Sequence, residues 1–402
     1  MSSPFRSRLG VIFLTVFLDL LGFGMVIPIL PLYAERLHAT DLEIGRLLAI
    51  YSVMQLVFAP IWGRVSDRIG RRPVLLVSIL GSCGSQLGYA LAPSYVWLVV
   101  ARGFAGLCGA NISAAQAYVA DVTDERSRAA GMGRLGAALG LGFIFGPAIG
   151  GLLAHFGPRT PFFVASALAA INFLLAFVIL SEPRQAGERA ASRVLTWSGL
   201  VRTLSTPRLL VLILLYFLVT FGFSNLEATF SLFLKRRFGY DQRGASMLFV
   251  FIGAIMVVMQ GMLVPRLVSR VGERTLVIGG TLLMSAGMAV QCVAHQVPVL
   301  LIAVALVATG SGINTPSMSS LISRAAGDQQ GGVLGVTQSF GALGRIIGPL
   351  FGTWALGFGL AMPYAAAGLL IMLACLVAAT LVRQPETRPA AAPVGSPQQA
   401  PG

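Results

Sequence analysis

Charge is scarce in this chain. Only 11% of its 402 residues are Asp, Glu, Lys or Arg, against roughly 25% in soluble globular domains, and that excludes an ordinary water-soluble fold. Lysine is almost missing: 29 residues are basic, and Lys235 is the sole lysine among them. The four cysteines, Cys83, Cys108, Cys292 and Cys375, all sit inside apolar runs without metal-ligand spacing, so neither a disulfide framework nor a zinc site is expected. Three histidines, His38, His155 and His295, are too scattered to form a metal cluster. No nucleophile stands near a base and no folded soluble domain is evident, so no enzymatic activity is expected.

What remains is apolar. The chain is 56% hydrophobic with a mean hydropathy of +0.81, and its apolar runs are long enough to cross about 30 Å of hydrocarbon as helices. Twelve are read, near residues 9–33, 44–63, 73–92, 96–120, 130–155, 161–181, 208–234, 244–264, 275–294, 298–322, 332–357 and 361–382. The first contains Asp19 and outruns a signal-peptide core, so it is read as a retained span. The expected fold is an all-α membrane protein: a six-helix bundle over 1–181, a cytoplasmic linker over 182–207, a second six-helix bundle over 208–383 and a disordered cytoplasmic tail over 384–402.

A formal charge of +14 raises nucleic acid as a partner, but the placement of the basic residues argues for a lipid bilayer instead. The two ends and the loops after even-numbered spans carry 20 of the 29, the other loops 7, and Arg102 and Arg345 lie within spans. Basic residues concentrate on the cytoplasmic side, so both termini are expected there, in a cell (inner) membrane. A monomer is expected.

Two signatures recur at one offset. Gly63-Arg64-Val65-Ser66-Asp67-Arg68-Ile69-Gly70-Arg71-Arg72-Pro73 has a fainter copy 202 residues later at Pro265-Arg266-Leu267-Val268-Ser269-Arg270-Val271-Gly272-Glu273-Arg274. Gly133, Gly142, Gly146, Pro147 and Gly150 are repeated at Gly335, Gly344, Gly348, Pro349 and Gly352, with Thr353 where the first copy has Gly151. The chain is therefore a duplication, and its two pseudo-symmetric bundles imply a substrate site at their interface, reached alternately from either side. In the Gly63 loop the glycines serve a tight reversal and Asp67 is placed to meet a helix N-terminus. Gly142 to Gly151 form a small-residue stripe for close helix contact.

These motifs resemble those of the major facilitator superfamily, and specifically of its twelve-span drug/proton antiporters near the tetracycline exporters. The resemblance implies proton-coupled export of amphipathic drugs or small metabolites, with protons as coupling ion and no cofactor. It maps a loop that stabilises one access state onto Gly63, Asp67, Arg68, Gly70, Arg71 and Arg72; separately, Asp121, where span four leaves the membrane, is expected to pair with the arginines of that loop. It maps the antiporter helix motif onto Gly133, Gly142, Gly146, Pro147, Gly150 and Gly151, although packing alone also explains that stripe. Span one matches as Leu21-Gly22-Phe23-Gly24-Met25-Val26-Ile27-Pro28-Ile29-Leu30-Pro31, whose prolines bend or loosen a helix.

Charges inside spans cost roughly 2.5–3.5 kcal/mol each even on lenient insertion scales, so each needs a reason. Asp19 lies about ten residues into span one, ~15 Å deep at 1.5 Å per residue, and is the first proton-site candidate. Arg102 begins a stretch resembling the family motif linked to proton transfer, with structural pairing as the alternative. Glu227 is a second proton site, a contact for cationic cargo, or a hydrated acid near the outer mouth. Arg345 either snorkels or braces the cytoplasmic end. Tyr51, Gln55, Asn111, Gln116, Phe223, Asn225, Asn314 and Gln338 are the expected cavity residues, though such groups also join helices. Tetracycline exporters carry further acids in spans three and nine; here 74–92 and 276–294 contain none, and Ser85 stands at the span-three position. That departure disfavours a metal-chelated tetracycline as cargo. An uptake symporter or facilitator is the alternative, and a non-transporting receptor a remote one.

Overall fold

The computed structural model describes residues 4–109, 111–123, 125–182, 203–326 and 330–381. Among these, helices run through all twelve predicted spans and no strand occurs. Seven helices are individually long and apolar enough to cross a membrane, and one of them, Gln242–Cys292, runs through two predicted spans. Residues 183–202 of the expected linker and the whole expected tail lie outside the described residues.

Span one is broken. Helix Pro4–Val26 gives way to Leu30–Arg36 with a 42° bend. Pro28 has no N–H to donate, and Pro31 sits in the first turn of the second helix, where a missing N–H is tolerated, so the prolines set the break and the restart. The backbone oxygen of Pro28 is not left bare: Ser231 Oγ, from the second half of the chain, donates to it at 2.8 Å. Span four also breaks, between Tyr95–Cys108 and Asn111–Val122. There Gln55 Nε2 donates to the oxygen of Gly109 at 3.0 Å and Trp62 Nε1 to that of Leu107 at 2.7 Å. A broken helix survives in a dry environment only where neighbours satisfy the freed backbone groups, and span two does so here.

The duplication is visible in the packing. Span one (Pro4–Val26) lies along span five (Glu125–Leu153) as span seven (Pro207–Phe238) lies along span eleven (Gln330–Leu356). Between the halves, span two (Asp41–Ile69) packs on span eleven and span five on span eight (Gln242–Val258). Spans two and eight open with related caps. Thr40 and Glu43 form a reciprocal capping box, and Gly244 N donates to Asp241 Oδ1 at 2.9 Å. Both satisfy N–H groups that the first helical turn leaves unpaired.

Close approach explains the glycine stripe. A Cβ on Gly142 would lie 2.6 Å from Leu20 Cβ, and one on Gly146 2.7 Å from Gly24 Cα. The second half repeats this at Gly344 and Gly348, 2.9 and 2.7 Å from the oxygens of Phe217 and Phe221. Gly133 falls among residues whose surroundings lie outside the described set.

Candidate functional site

A cavity of about 630 Å³ lies between the halves, within the range that accepts a drug-sized molecule. Spans one to five contribute most of its wall, and span eleven closes it with Gln338, Ser339, Ala342 and Arg345. Of the residues singled out in the sequence, Asp19, Tyr51, Gln55, Arg102, Gln338 and Arg345 line it. Ser85, Gln86 and Tyr89 line it too; the last two were not anticipated. Their signal is one polar side chain per helical turn in an apolar span, which span three also shows at its packing positions.

Arg102 is the centre of the polar wall. Its side chain is 5% exposed, and its guanidinium stacks 4.6 Å from the Tyr51 ring centroid and 5.6 Å from that of Phe23. Desolvated cation–π contacts of this kind contribute about 2 kcal/mol. That offsets part of the cost of a buried guanidinium that, among the described residues, has no carboxylate in ion-pair contact. Arg102 Nε, the Tyr89 hydroxyl and Gln86 Oε1 are all buried without a hydrogen-bond partner. Left unmet, each such atom costs about 1–3 kcal/mol.

Several expected cavity residues are elsewhere. Asn225 and Asn314 are 0% exposed and tie helices of the second half: Asn225 Nδ2 donates to Pro363 O at 2.7 Å, and Thr281 Oγ1 donates to Asn314 Oδ1 at 3.3 Å. They replace cavity contacts with inter-helix bonds because their helix face turns toward spans twelve and nine. Phe223 packs against the apolar core, outside the lining. Glu227 is half-buried and is likewise outside it, although the charges of Arg102 and Arg345 reach it. The side chains of Asn111 and Gln116 lie outside the described residues.

At the end of the bundle where the chain begins, the Gly63 loop forms a compact ionic cluster. Arg71 binds Asp67 at 2.8 Å, Asp121 at 3.2 Å and Ser66 Oγ at 3.0 Å. The carboxylate that meets the helix N-terminus is Glu182, not Asp67. It accepts from the backbone N of Arg71 at 2.8 Å and of Arg72 at 2.9 Å. Asp67 is one turn before Arg71 on the preceding helix, and its shorter reach is spent on that side chain. Gly70 has φ 113° and Gly272 φ 78°, so both halves turn on a backbone conformation that favours glycine. Arg68 is exposed, and a Cβ on Gly63 would meet nothing within 4 Å. In the second half Ser269 stands in place of Asp67, and the buried Glu273 supplies the carboxylate, bound by Arg324 at 3.1 Å and Ser320 Oγ at 2.6 Å.

Glu182→Gln is expected to lower stability by about 1 kcal/mol, the usual worth of a charged group on a helix N-terminus. A lower melting temperature in detergent, with unchanged transport, is the result that checks it.

The opposite end of the bundle is where the halves lock together. Lys235 Nζ meets Glu35 at 2.8 Å and Arg236 meets Asp41 at 2.8 Å. These pairs, with Arg236–Glu35 at 3.7 Å, are the ion pairs joining the halves among the described residues. None was foreseen, since charges in short loops read as hydrated, and partners about 200 residues apart leave no local signal.

A helical membrane protein built as two pseudo-symmetric halves around a central polar cavity, held shut at one end, is a secondary transporter. The Major Facilitator Superfamily model matches residues 12–273 and 214–401, and the chain belongs to that superfamily. It is 30% identical over 367 residues to multidrug resistance protein 2 of Bacillus subtilis (strain 168), covering 89% of this chain and 91% of that one. It is 36% identical over 346 residues to the class D tetracycline resistance protein of Salmonella ordonez, covering 83% and 85%. Its fold is similar to the crystal structure of the human organic anion transporter MFSD10 (TETRAN), with a TM-score of 0.71 and 28% identity over 94% of this chain and 100% of that one.

Proposed function

We propose that the protein exports amphipathic drugs or small metabolites across the bacterial inner membrane in exchange for protons, as a monomer with both termini in the cytoplasm. The observation that carries this reading is the cavity itself: Asp19 and Arg102 share one wall with the aromatic faces of Phe23 and Tyr51. The resistance proteins among its relatives support export over uptake, and no feature of the site favours the symporter alternative.

The distribution of basic residues puts the Gly63 loop in the cytoplasm. The locked end is then the outer one, and the state described is open toward the cytoplasm, ready to load cargo. Asp19 takes a proton when the cavity faces outward and gives it up inside, and cargo binds the deprotonated form. Exchange follows because each ligand excludes the other, and each shifts the two halves only by its differential affinity for the two states. A proton crossing ~100 mV supplies about 2.3 kcal/mol, or about a 50-fold cargo gradient. The Gly63 cluster, formed within the first half by Asp67, Arg71 and Asp121, serves as the inner latch by engaging the second half when the cytoplasmic side closes. Glu227 serves as an auxiliary acid within reach of both cavity arginines.

The test is flux in proteoliposomes of the purified protein. An acidic lumen is expected to drive accumulation of a fluorescent amphiphile, and collapsing the pH gradient with nigericin to abolish it. Accumulation indifferent to nigericin sinks the proton-coupled reading.

A further inference from the structure

Resting on the exporter reading above, the charges on the cavity wall say what kind of cargo fits. We propose that the site is built for a zwitterion: a cationic group beside Asp19 and an acidic group on Arg345, so that one cargo molecule bridges the two halves of the chain.

Among the described residues three groups with formal charge line the cavity, Asp19 from span one, Arg102 from span four and Arg345 from span eleven. With Asp19 ionised these three carry a net +1. A simple cation finds one favourable carboxylate and two repulsive guanidiniums there. A simple anion finds two guanidiniums, but its binding is strengthened when Asp19 takes up a proton, and cargo and proton then travel together rather than in exchange. A zwitterion satisfies both signs and keeps the competition with the proton at Asp19.

The two arginines are not equivalent. Arg102 is committed to the aromatic faces of Phe23 and Tyr51. Its Nε is buried without a hydrogen-bond partner, and Tyr89 and Gln86 line the same cavity. Arg345 is half-buried and, among the described residues, makes no hydrogen bond, ion pair or ring contact. A planar fork of donors facing a cavity is suited to a carboxylate taken in two parallel hydrogen bonds. Among the described residues, the titratable and charged groups that share the cavity wall with Asp19 are Tyr51, Tyr89, Arg102 and Arg345.

A matched pair of dyes tests this. Rhodamine 110 has a free carboxylate and is a zwitterion; rhodamine 123 is its methyl ester and a cation. In proteoliposomes with an acidic lumen, corrected for protein-free vesicles, the free acid is expected to be carried with a kcat/KM about tenfold higher, the factor of one well-placed charge-assisted hydrogen bond of about 1.5 kcal/mol. Arg345→Gln should remove that preference, lowering rhodamine 110 transport and, with one repulsive guanidinium gone, raising that of rhodamine 123, and Arg345→Lys should restore part of it. Charge movement gives an independent reading that needs no variant. Exchange of one proton for a zwitterion carries net charge, so a lumen-positive potential of ~100 mV raises the attainable accumulation about 50-fold. Exchange of one proton for a cation carries none and does not respond. Equal handling of the two dyes by the wild type, or a preference for the ester, overturns the zwitterion site and leaves the exporter standing. Absence of pH-driven flux for both dyes overturns both.

Discussion

Asp19→Asn is expected to abolish pH-driven accumulation, lowering the steady-state cargo ratio about 50-fold, the whole factor that ~100 mV supplies through one proton. Asn fills the same volume and can still hydrogen-bond, so a purely structural role for the side chain survives the change. What is lost is the ability to hold and release a proton. Asn resembles the protonated acid and cannot pair with a cationic group, so cargo affinity should fall, but at saturating cargo the variant should still exchange labelled for unlabelled cargo without a gradient, because rocking of the halves needs cargo and not the coupling ion. Counterflow at saturating cargo within about threefold of the wild type, together with lost accumulation, assigns Asp19 to coupling. Accumulation at the wild-type level in Asp19→Asn removes it from the mechanism, and loss of both activities makes it a structural residue. Glu227→Gln should have the smaller effect, since Glu227 lies outside the cavity lining.

The parts of this architecture that were legible in the sequence are those carried by local composition or by repetition. Apolar run length located the helices, Pro28 and Pro31 marked the bend in span one, and the 202-residue offset announced the two halves. Cavity residues were legible only where a charge or an aromatic stood alone in an apolar span, as with Asp19, Tyr51 and Arg102. Uncharged polar residues were not separable: Gln55 and Gln338 face the cavity while Asn225 and Asn314 tie helices. Both groups obey the same composition rule, and only the rotation of each helix about its axis distinguishes them. Glu182 gave no signal because its role depends on the fold returning span six to the start of span three. Glu273 was overlooked for a related reason. The copy of the Gly63 motif keeps the turn but shifts the acid past the glycine, where strict alignment reads a loss.

The same duplication accounts for Thr353, the one break in the repeated stripe, and it leads to the most demanding test of the outer closure. Gly45 of span two packs against the hydroxyl of Thr353 in span eleven, so closely that a Cβ on Gly45 would overlap it, and such a Cβ would also lie 2.8 Å from Pro349 O. The pseudo-symmetric contact is Gly151 of span five against Ser246 of span eight, where a Cβ on the glycine would lie 2.5 Å from Ser246 Cβ. Each contact thus pairs one glycine with one hydroxyl residue, on opposite partners in the two copies. Thr353 is tolerated in place of a glycine because span two gave up its own side chain at Gly45. Gly45→Ser alone should overpack the closed outer end by about 1–3 kcal/mol and bias the transporter away from its cytoplasm-facing state about 5- to 150-fold, with export falling by a similar factor. Gly45→Ser combined with Thr353→Gly rebuilds the arrangement of the other copy and removes the clash with the hydroxyl, leaving the 2.8 Å approach to Pro349 O, so export should recover part of what the single variant loses. That recovery is the non-additivity expected of two residues in direct contact. Labelling of a cysteine introduced beside Glu35 reports outer access independently of flux: it should rise in the single variant and fall back toward the wild-type rate in the double. If the double variant is as impaired as the single one, the two positions do not share a contact that closes the outer end, and the departure at Thr353 needs another cause.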